Sequence, residues 1–182
     1  MRSGPEEHVV LVDADDVERG TMEKIEAHRR GELHRAFSVF LFDRTGDLLL
    51  QRRATGKYHS AGLWSNSCCG HPRPGESLIA AAVRRTREEL GASIRPEHAF
   101  TFTYRAQLDH GLIEHEVDHV LIGHCDGPFH PDPTEVNALR SAGTGAILRE
   151  MERDPARFTA WFRICFPRVL DELDRSGRLH RA

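Results

Sequence analysis

The amino-acid sequence predicts an α/β fold built from layers, with a mixed β-sheet flanked by helices. Two long runs of strand-forming residues, 36–42 and 113–125, lie on either side of one helical segment, 78–90. Two further helical segments follow near the end of the chain, at 146–153 and 158–173. Strands before and after one helix, with helices at the end, are typical of a layered fold of this class.

Runs of β-branched, aromatic and other apolar residues, bounded by turn residues, predict six strands. They span residues 9–12, 36–42, 48–52, 63–69, 100–108 and 113–125. The polar turn at 43–47 contains Gly46 and joins two of these strands as a hairpin. Residues 126–133, which are rich in Gly and Pro, are predicted to form a loop.

Capping residues define the ends of the central helix. Ser77 is a suitable N-cap for a helix over 78–90, and Gly91 is a suitable residue to end it. Pro155 and Pro167 interrupt the two C-terminal helical segments. Because the chain has no internal repeat or interdomain linker, we expect one domain over residues 1–182. Its motif-bearing core lies at about 9–135, and its C-terminal helical segment at about 146–175.

Composition excludes several classes of function. The chain has 182 residues, of which 39% are hydrophobic and 29% charged, as in an ordinary globular domain. Its net charge of -3 and lack of a long Lys/Arg run argue against nucleic acid as a partner. No segment approaches the ~20 apolar residues of a membrane span, and the N-terminus has no signal-like apolar run. We therefore expect a cytoplasmic protein without a membrane or nucleic-acid partner; the oligomeric state stays open.

Four cysteines occur, at positions 68, 69, 125 and 165. Adjacent cysteines are poorly placed to bridge each other, and no Cys-x-x-Cys pair suggests structural zinc. A disulfide scaffold is not expected in a chain of this size and location. The thiols are therefore either core residues or part of a reactive site.

The segment from Gly70 to Gly91 carries the most specific motif. Glu76 follows Gly70 after five residues, and seven residues later the chain reads Arg84, Arg85 and then Glu88-Glu89-Leu90-Gly91. This spacing resembles the Nudix box, a loop and helix that bring glutamates to metal ions on a diphosphate. Arg85 stands where that family carries a glutamate, so the resemblance implies diphosphate binding without a site built for cleavage.

The two glutamates near the end of this helix have two interpretations. Negative charge in the last turn is disfavoured by a few tenths to ~1 kcal/mol for each residue. Glu88 and Glu89 could simply pair with Arg84 and Arg85, four residues earlier. We favour a functional role because the spacing of Gly70 and Glu76 is an independent match to the motif.

A second cluster of chemistry-bearing residues is Glu114-His115-Glu116. On a strand, residues two apart face the same side, so both carboxylates project together while His115 turns away. A solvated strand face is the plainer interpretation of such a pattern. His28, His34 and His71 could instead complete a mixed nitrogen and oxygen ligand set suited to manganese, iron, magnesium or zinc. Spacing alone leaves their convergence open.

Five segments in order resemble type 1 isopentenyl-diphosphate isomerases of the Nudix superfamily. They are residues 20–24, 33–38, 64–72, 104–106 and 114–118, within a stretch from about 9 to 135. Cys69-Gly70-His71-Pro72, followed by the altered Nudix box, is the most specific of these matches. The resemblance implies a Nudix-like sheet flanked by helices, and an enzyme that interconverts isopentenyl and dimethylallyl diphosphate in isoprenoid biosynthesis.

The resemblance also implies a role for each matching residue. One divalent ion (Mn²⁺, Zn²⁺, Fe²⁺ or Mg²⁺) would be held by His28, His34, His71, Glu114 and Glu116. Cys69 and Glu116 would be the catalytic pair, with Tyr104 supporting Glu116. A second ion, Mg²⁺, would be held by Glu89 and the Cys69 backbone carbonyl and would bridge the substrate diphosphate. Lys24, Arg53, Lys57 and Arg85 would bind the diphosphate.

This residue inventory suits the implied reaction. Moving the double bond of a C5 prenyl diphosphate adds one proton to a terminal alkene carbon and removes another from the allylic carbon. The reaction needs an acid, a base and no hydride cofactor, and it passes through a species resembling a tertiary carbocation. Trp161 could stabilise that cation through its π face, or could equally be a packing residue of an amphipathic helix.

Two other functions stay open at this point. A Nudix diphosphohydrolase would release phosphate or pyrophosphate, but Arg85 and the Cys69/Glu116 pair count against it. A non-catalytic metal-binding or regulatory module would bind metal tightly and turn over no C5 diphosphate.

Overall fold

Within residues 7–177, which the computed structural model describes, the strands join one mixed sheet with helices against both faces. The strands are β1 (His8–Val12), β2 (Glu18–Glu23), β3 (His34–Phe42), β4 (Leu48–Arg53), β5 (Trp64–Ser65), β6 (Cys68–Gly70), β7 (Glu97–Gln107), β8 (Ile113–His124) and β9 (Val136–Ala142). The helices are α1 (Lys24–Arg30), α2 (Leu78–Leu90), α3 (Thr144–Arg153) and α4 (Ala160–Arg175), with 3₁₀ turns at Asp109–Gly111 and Pro155–Arg157. The predicted layered α/β class is confirmed.

Strand β3 is the centre of the sheet. One of its edges pairs in parallel with β8 along its whole length, from His34 opposite Glu116 to Phe42 opposite His124. Its other edge is shared by β1, β6 and β4 in turn, all antiparallel. Strand β7 continues the sheet beyond β8. This arrangement puts β6, β3, β8 and β7 side by side in the sheet.

Alternating side chains of β3 supply two separate cores. Phe40 and Phe42 pack with residues of α3 and α4 on one face, while Phe37, Val39 and Leu41 pack with α2 on the other. Apolar residues on both faces are expected of a strand buried between two helical layers. Ser38, which is 2% exposed, breaks this pattern on the α4 face. Ser38 therefore lies where the apolar core of this face ends and a polar cavity begins.

The capping prediction for α2 is confirmed at both ends. The Ser77 hydroxyl accepts a hydrogen bond from the Ala80 amide (3.3 Å). Gly91 has φ 65° and its amide donates to the Arg87 carbonyl, a left-handed conformation that favours glycine. A Cβ at Gly91 would also lie 2.8 Å from the Cβ of His130, so the next loop packs directly on this turn.

The predicted strand over 63–69 is wrong, since β5 and β6 are separated by Asn66 and Ser67. Both side chains bond to neighbouring backbone in place of a regular ladder. The Ser67 hydroxyl donates to the Leu49 carbonyl (2.6 Å) and accepts from the Leu41 amide (2.8 Å). Asn66 Nδ2 donates to the Val39 carbonyl (3.2 Å). These local bonds interrupt the strand.

Strands β2 and β9 were not predicted. Both are rich in polar, exposed positions and lie at an edge of the sheet, so they lack an apolar alternation that would reveal them. Helix α4 begins at Ala160, two residues later than predicted, and continues through Pro167 to Arg175. No helix of residues 7–177 is long and apolar enough to cross a membrane.

Candidate active site

Strand register brings the predicted site residues to one cavity. Glu116 on β8 lies opposite both His34 on β3 and Tyr104 on β7. On the other side of β3, Cys69 lies opposite Ser38. The cavity is lined by Lys24, Arg53, Lys57, Cys69, His71, Arg85, Glu89, Tyr104, Glu114, Glu116 and Trp161, among others. His28 and His34 are fully buried behind His71 and Glu116.

Two buried carboxylates share one phenol. The Tyr104 hydroxyl lies 2.7 Å from Glu116 Oε2 and 2.9 Å from Glu114 Oε2. The prediction that both carboxylates face the same side is confirmed, and His115 turns away to bond the Gly31 carbonyl (3.0 Å). Burial and the charge of Glu116 raise the pKa of Glu114 well above its usual range. Burial would also raise the pKa of Glu116, but the adjacent imidazoles of His34 and His71 hold that pKa well below its usual range.

The imidazoles of His28 and His34 are oriented for metal binding. Nδ1 of His28 bonds the Lys24 carbonyl (2.7 Å) and Nδ1 of His34 bonds the Glu32 carbonyl (2.8 Å). A ring that donates through Nδ1 carries its lone pair on Nε2. Both Nε2 atoms are buried and have no hydrogen-bond partner among residues 7–177. Buried polar atoms are rarely left unpaired without a ligand or ion to satisfy them.

His71 and Glu116 complete this group. His71 Nε2 lies 3.0 Å from Glu116 Oε1, and His34 Nε2 lies 3.5 Å from the same oxygen. One ligand atom from each of His28, His34, His71 and Glu116 lies within 4.8 Å of all the others. Burial lowers the pKa of His28 to about 4, so its imidazole is neutral near pH 7. Three imidazoles and a carboxylate form a donor set that fits a divalent metal ion.

The fifth predicted ligand, Glu114, falls in a different group. Its ligand oxygen clusters with His28 and His59 rather than with His34 and His71. His59 was missed by the sequence analysis because it lies in an irregular loop, where no periodic pattern marks a buried side chain. Its position two residues after Lys57, itself a predicted binding residue, was the available signal.

The two adjacent thiols have different surroundings. Cys69 is half-buried and lines the cavity, whereas Cys68 is fully buried in the core beneath α2. This opposite orientation is expected of neighbouring strand residues. Burial raises the pKa of the Cys69 thiol, against the opposing effect of the Arg53 charge. Cys69 is therefore a protonated thiol at neutral pH, able to donate a proton.

The four predicted diphosphate-binding cations reach the same cavity. Lys24 pairs with Glu7, and Lys57 pairs with Glu135. Arg85 Nη2 contacts Glu89 and lies 3.1 Å from Glu135. Glu7, just before β1, thus holds Lys24 in place, and Glu135, just before β9, holds Lys57 and Arg85.

The motif glutamates divide between two roles. Arg84 binds Glu76 through two parallel contacts of 2.7 and 2.8 Å and also reaches Glu88 (3.3 Å). Pairing of the arginines with the glutamates, the plainer interpretation, is therefore confirmed. Glu89 differs, because it also lines the cavity and accepts a hydrogen bond from Gln51 Nε2 (3.0 Å).

Trp161 is both a core residue and part of the cavity wall. It is 2% exposed, packs in the core beneath α4, and donates through Nε1 to Asn66 Oδ1 (3.2 Å). The Arg53 guanidinium lies 5.2 Å from the centre of its ring. Arg53 therefore contacts an aromatic wall of the cavity, and its Nη2 donates to the His59 carbonyl (3.2 Å).

Comparison with known proteins identifies the family. The model of the NUDIX domain matches residues 32–162. A protein of Pectobacterium atrosepticum named isopentenyl-diphosphate Delta-isomerase is 50% identical over 167 residues, which cover 92% of this chain and 93% of that protein. A Serratia proteamaculans protein of the same name is 47% identical over 175 residues, with 96% and 98% covered.

Solved structures agree on the fold. The DR0079 protein of Deinococcus radiodurans has a TM-score of 0.68 at 19% identity, covering 82% of this chain and 95% of that one. The MutT protein of Methanosarcina mazei has a TM-score of 0.64 at 21% identity, with 80% and 95% covered. The chain therefore belongs to the NUDIX domain family and, within it, to the isopentenyl-diphosphate Delta-isomerases.

Proposed function

We propose that this protein is an enzyme that interconverts isopentenyl diphosphate and dimethylallyl diphosphate in isoprenoid biosynthesis. Its similarity to proteins named for that reaction covers more than nine-tenths of the chain. The observation that carries the proposal is that a protonated thiol, Cys69, and a buried carboxylate, Glu116, line one cavity from strands on opposite edges of β3. This is the acid and base inventory that an alkene shift requires.

The two proton-transfer groups lie on the strands that flank β3, Cys69 on β6 and Glu116 on β8. Strands two positions apart in a sheet are separated by about 10 Å, so a five-carbon chain lying over the cavity face of β3 can contact groups from both β6 and β8. One of Cys69 and Glu116 gives a proton to the terminal alkene carbon, and the other accepts the allylic proton. Tyr104 orients the Glu116 carboxylate through its 2.7 Å hydrogen bond. Because the reaction is reversible, the group that donates a proton in one direction accepts a proton in the other.

Metal binding supports this arrangement of side chains. His28, His34, His71 and Glu116, with Glu114 as the further predicted ligand, would hold one divalent ion (Mn²⁺, Zn²⁺, Fe²⁺ or Mg²⁺). Such an ion would supply positive charge that keeps Glu116 ionised and fixed in orientation. Glu89 and the Cys69 backbone carbonyl would hold a second ion, Mg²⁺, which would supply positive charge for binding the substrate diphosphate.

The lysine and arginine side chains of the cavity are suited to bind the diphosphate end of the substrate. Lys24, Arg53, Lys57 and Arg85 all line the cavity. Ammonium and guanidinium groups bind phosphate oxygens strongly when partly desolvated. Lys24, Lys57 and Arg85 would exchange their carboxylate partners for the diphosphate as it enters. Trp161 forms part of the apolar wall for the C5 chain and presents a π system to a developing cation.

Diphosphate hydrolysis is the second candidate function, since the family includes hydrolases of this fold. Arg85 stands where the motif has a metal-binding glutamate, and Glu76 is neutralised by Arg84. The replacement leaves one metal ligand fewer and the ion pair occupies a second carboxylate, and both disfavour hydrolysis. We propose further that residues 1–182 form a single domain. The cytoplasmic location predicted from the sequence stays a prediction.

The decisive assay uses the purified chain with isopentenyl diphosphate and Mg²⁺. We expect dimethylallyl diphosphate to form with no release of phosphate or pyrophosphate. Release of either phosphate species without isomer would favour the hydrolase. Tight metal binding without any conversion would favour a non-catalytic module.

A further inference from the structure

A fourth imidazole, that of His59, lies beside the histidine and glutamate group. His59 is 5% exposed and belongs to the loop between β4 and β5. Its Nδ1 lies 3.3 Å from the Ser60 hydroxyl, and the Ser60 amide donates to Asp109 Oδ2 (3.0 Å). The ring also packs edge-on against Trp161, with centroids 5.7 Å apart. The side chain is thus held from two directions.

The other ring nitrogen of His59 faces a carboxylate without bonding to it. Nε2 lies 3.9 Å from Glu114 Oε1, which is too long for a hydrogen bond. Two bonds of about 2.0–2.2 Å to a shared cation would span a separation of this size. The Nε2 atom of His59 is thus placed to offer its lone pair to a cation that Glu114 Oε1 also contacts.

His28 connects this pair to the first ligand group. Its ring is stacked at 6.0 Å from that of His59 and lies 4.9 Å from that of His34. One ligand atom from each of His28, His59 and Glu114 lies within 4.8 Å of the others, and all three residues are buried. The Tyr104 hydroxyl bonds Glu114 through Oε2, which leaves Oε1 directed toward His59.

We propose that His28, His59 and Glu114 form a second divalent-cation position, adjacent to the group of His28, His34, His71 and Glu116. Two imidazoles and one carboxylate suit Zn²⁺, Mn²⁺ or Fe²⁺. Because His28 Nε2 has one lone pair, a cation in either position excludes the other from this ligand. The chain therefore holds a cation on His28 even when the first group is damaged.

The test measures Co²⁺ binding to metal-free protein by its visible absorption and by competition with a chelator. The double variant His34→Ala/His71→Ala removes two of the four donors of the first group. We expect it to retain one Co²⁺ per chain with weakened affinity. Adding His59→Ala should weaken that residual binding by a further ~10-fold or more, in the range found when metal-site residues are lost.

His115→Ala is the matched control, because His115 is adjacent to Glu114 but turns away to bond the Gly31 carbonyl. In the same double variant it should leave Co²⁺ affinity unchanged. Equal effects of His59→Ala and His115→Ala, or no residual Co²⁺ binding in the folded double variant, would overturn the proposal. Circular dichroism establishes folding. If the double variant does not fold, His59→Ala and His115→Ala are compared in the His71→Ala variant, where only His59→Ala should weaken Co²⁺ binding.

Discussion

The Tyr104 hydroxyl lies between the carboxylates of Glu116 and Glu114, at 2.7 and 2.9 Å. One phenolic proton cannot fully satisfy two buried carboxylates, and like charges this close resist joint ionisation. The histidines stabilise charge on Glu116, while burial and that charge raise the pKa of Glu114. Two neighbouring carboxyl groups are thus pushed toward different protonation states, a common arrangement in sites that move protons.

Replacing Tyr104 with Phe tests this shared hydrogen bond. A hydrogen bond to a charged group contributes about 1.5–3 kcal/mol, so Tyr104→Phe should lower kcat by roughly 10- to 100-fold while the fold is retained. Thr103→Val is the control, since Thr103 is exposed on the opposite face of β7. Steady-state kinetics with isopentenyl diphosphate provide the measurement. A kcat in Tyr104→Phe equal to that of the control would remove Tyr104 from the mechanism.

Cys69→Ala and Cys68→Ala form a matched pair of adjacent thiols. Cys69 lines the cavity and Cys68 lies in the core beneath α2. Cys69→Ala should lose activity by several orders of magnitude, because it removes a proton-transfer group. Cys68→Ala should remain an active enzyme. Equal losses in the two folded variants would show that the cavity thiol has no special part in the reaction.

The raised pKa of Cys69 predicts how its reactivity depends on pH. A thiol whose pKa is raised by burial stays protonated at neutral pH, and its thiolate forms only as the pH rises well into the alkaline range. Iodoacetamide should therefore alkylate Cys69 of the metal-free protein more slowly at pH 7 than it alkylates free cysteine. The rate should increase steeply with pH. Mass spectrometry of the Cys69 peptide measures it, and rapid alkylation at pH 7 contradicts the proton-donor role.

Metal content separates the two proposed ions. His71→Ala and Glu114→Gln should each lower the amount of tightly held metal, because each removes a donor from one of the two adjoining ligand groups that share His28. Glu89→Gln should leave that metal in place and instead weaken diphosphate binding. Elemental analysis and substrate titration test the two effects. Undiminished metal in both the His71 and the Glu114 variants would eliminate the proposed site.

Local sequence patterns placed some residues of the candidate site on a common strand face, but they did not locate every strand of the sheet. Glu114 and Glu116 could be placed on one face because the two-residue period of a strand is local information. Their meeting with Tyr104 and His34 depends on pairing between β7, β8 and β3, which the resemblance implied and the register explains. The sequence did not reveal β2 or β9, since edge strands with polar residues have no apolar alternation to detect.

His59 shows the same limit within the site itself. Its burial comes from the loop after β4, which Asp109 and Trp161 hold from distant parts of the chain. Neither contact has a signature in the local sequence around residue 59. The split between β5 and β6 was missed for a related reason, because the bonds of Ser67 to Leu49 and Leu41 are tertiary contacts.

The most direct test of the central claim is to run the reaction in D₂O with isopentenyl diphosphate and Mg²⁺, and to follow it by NMR. We expect dimethylallyl diphosphate that carries deuterium at the carbon protonated during the shift, with its diphosphate intact. Proton addition to that carbon from an exchangeable group of the enzyme requires this label. Recovery of unlabelled, unchanged substrate, or of an alcohol or monophosphate in place of the isomer, would contradict the account.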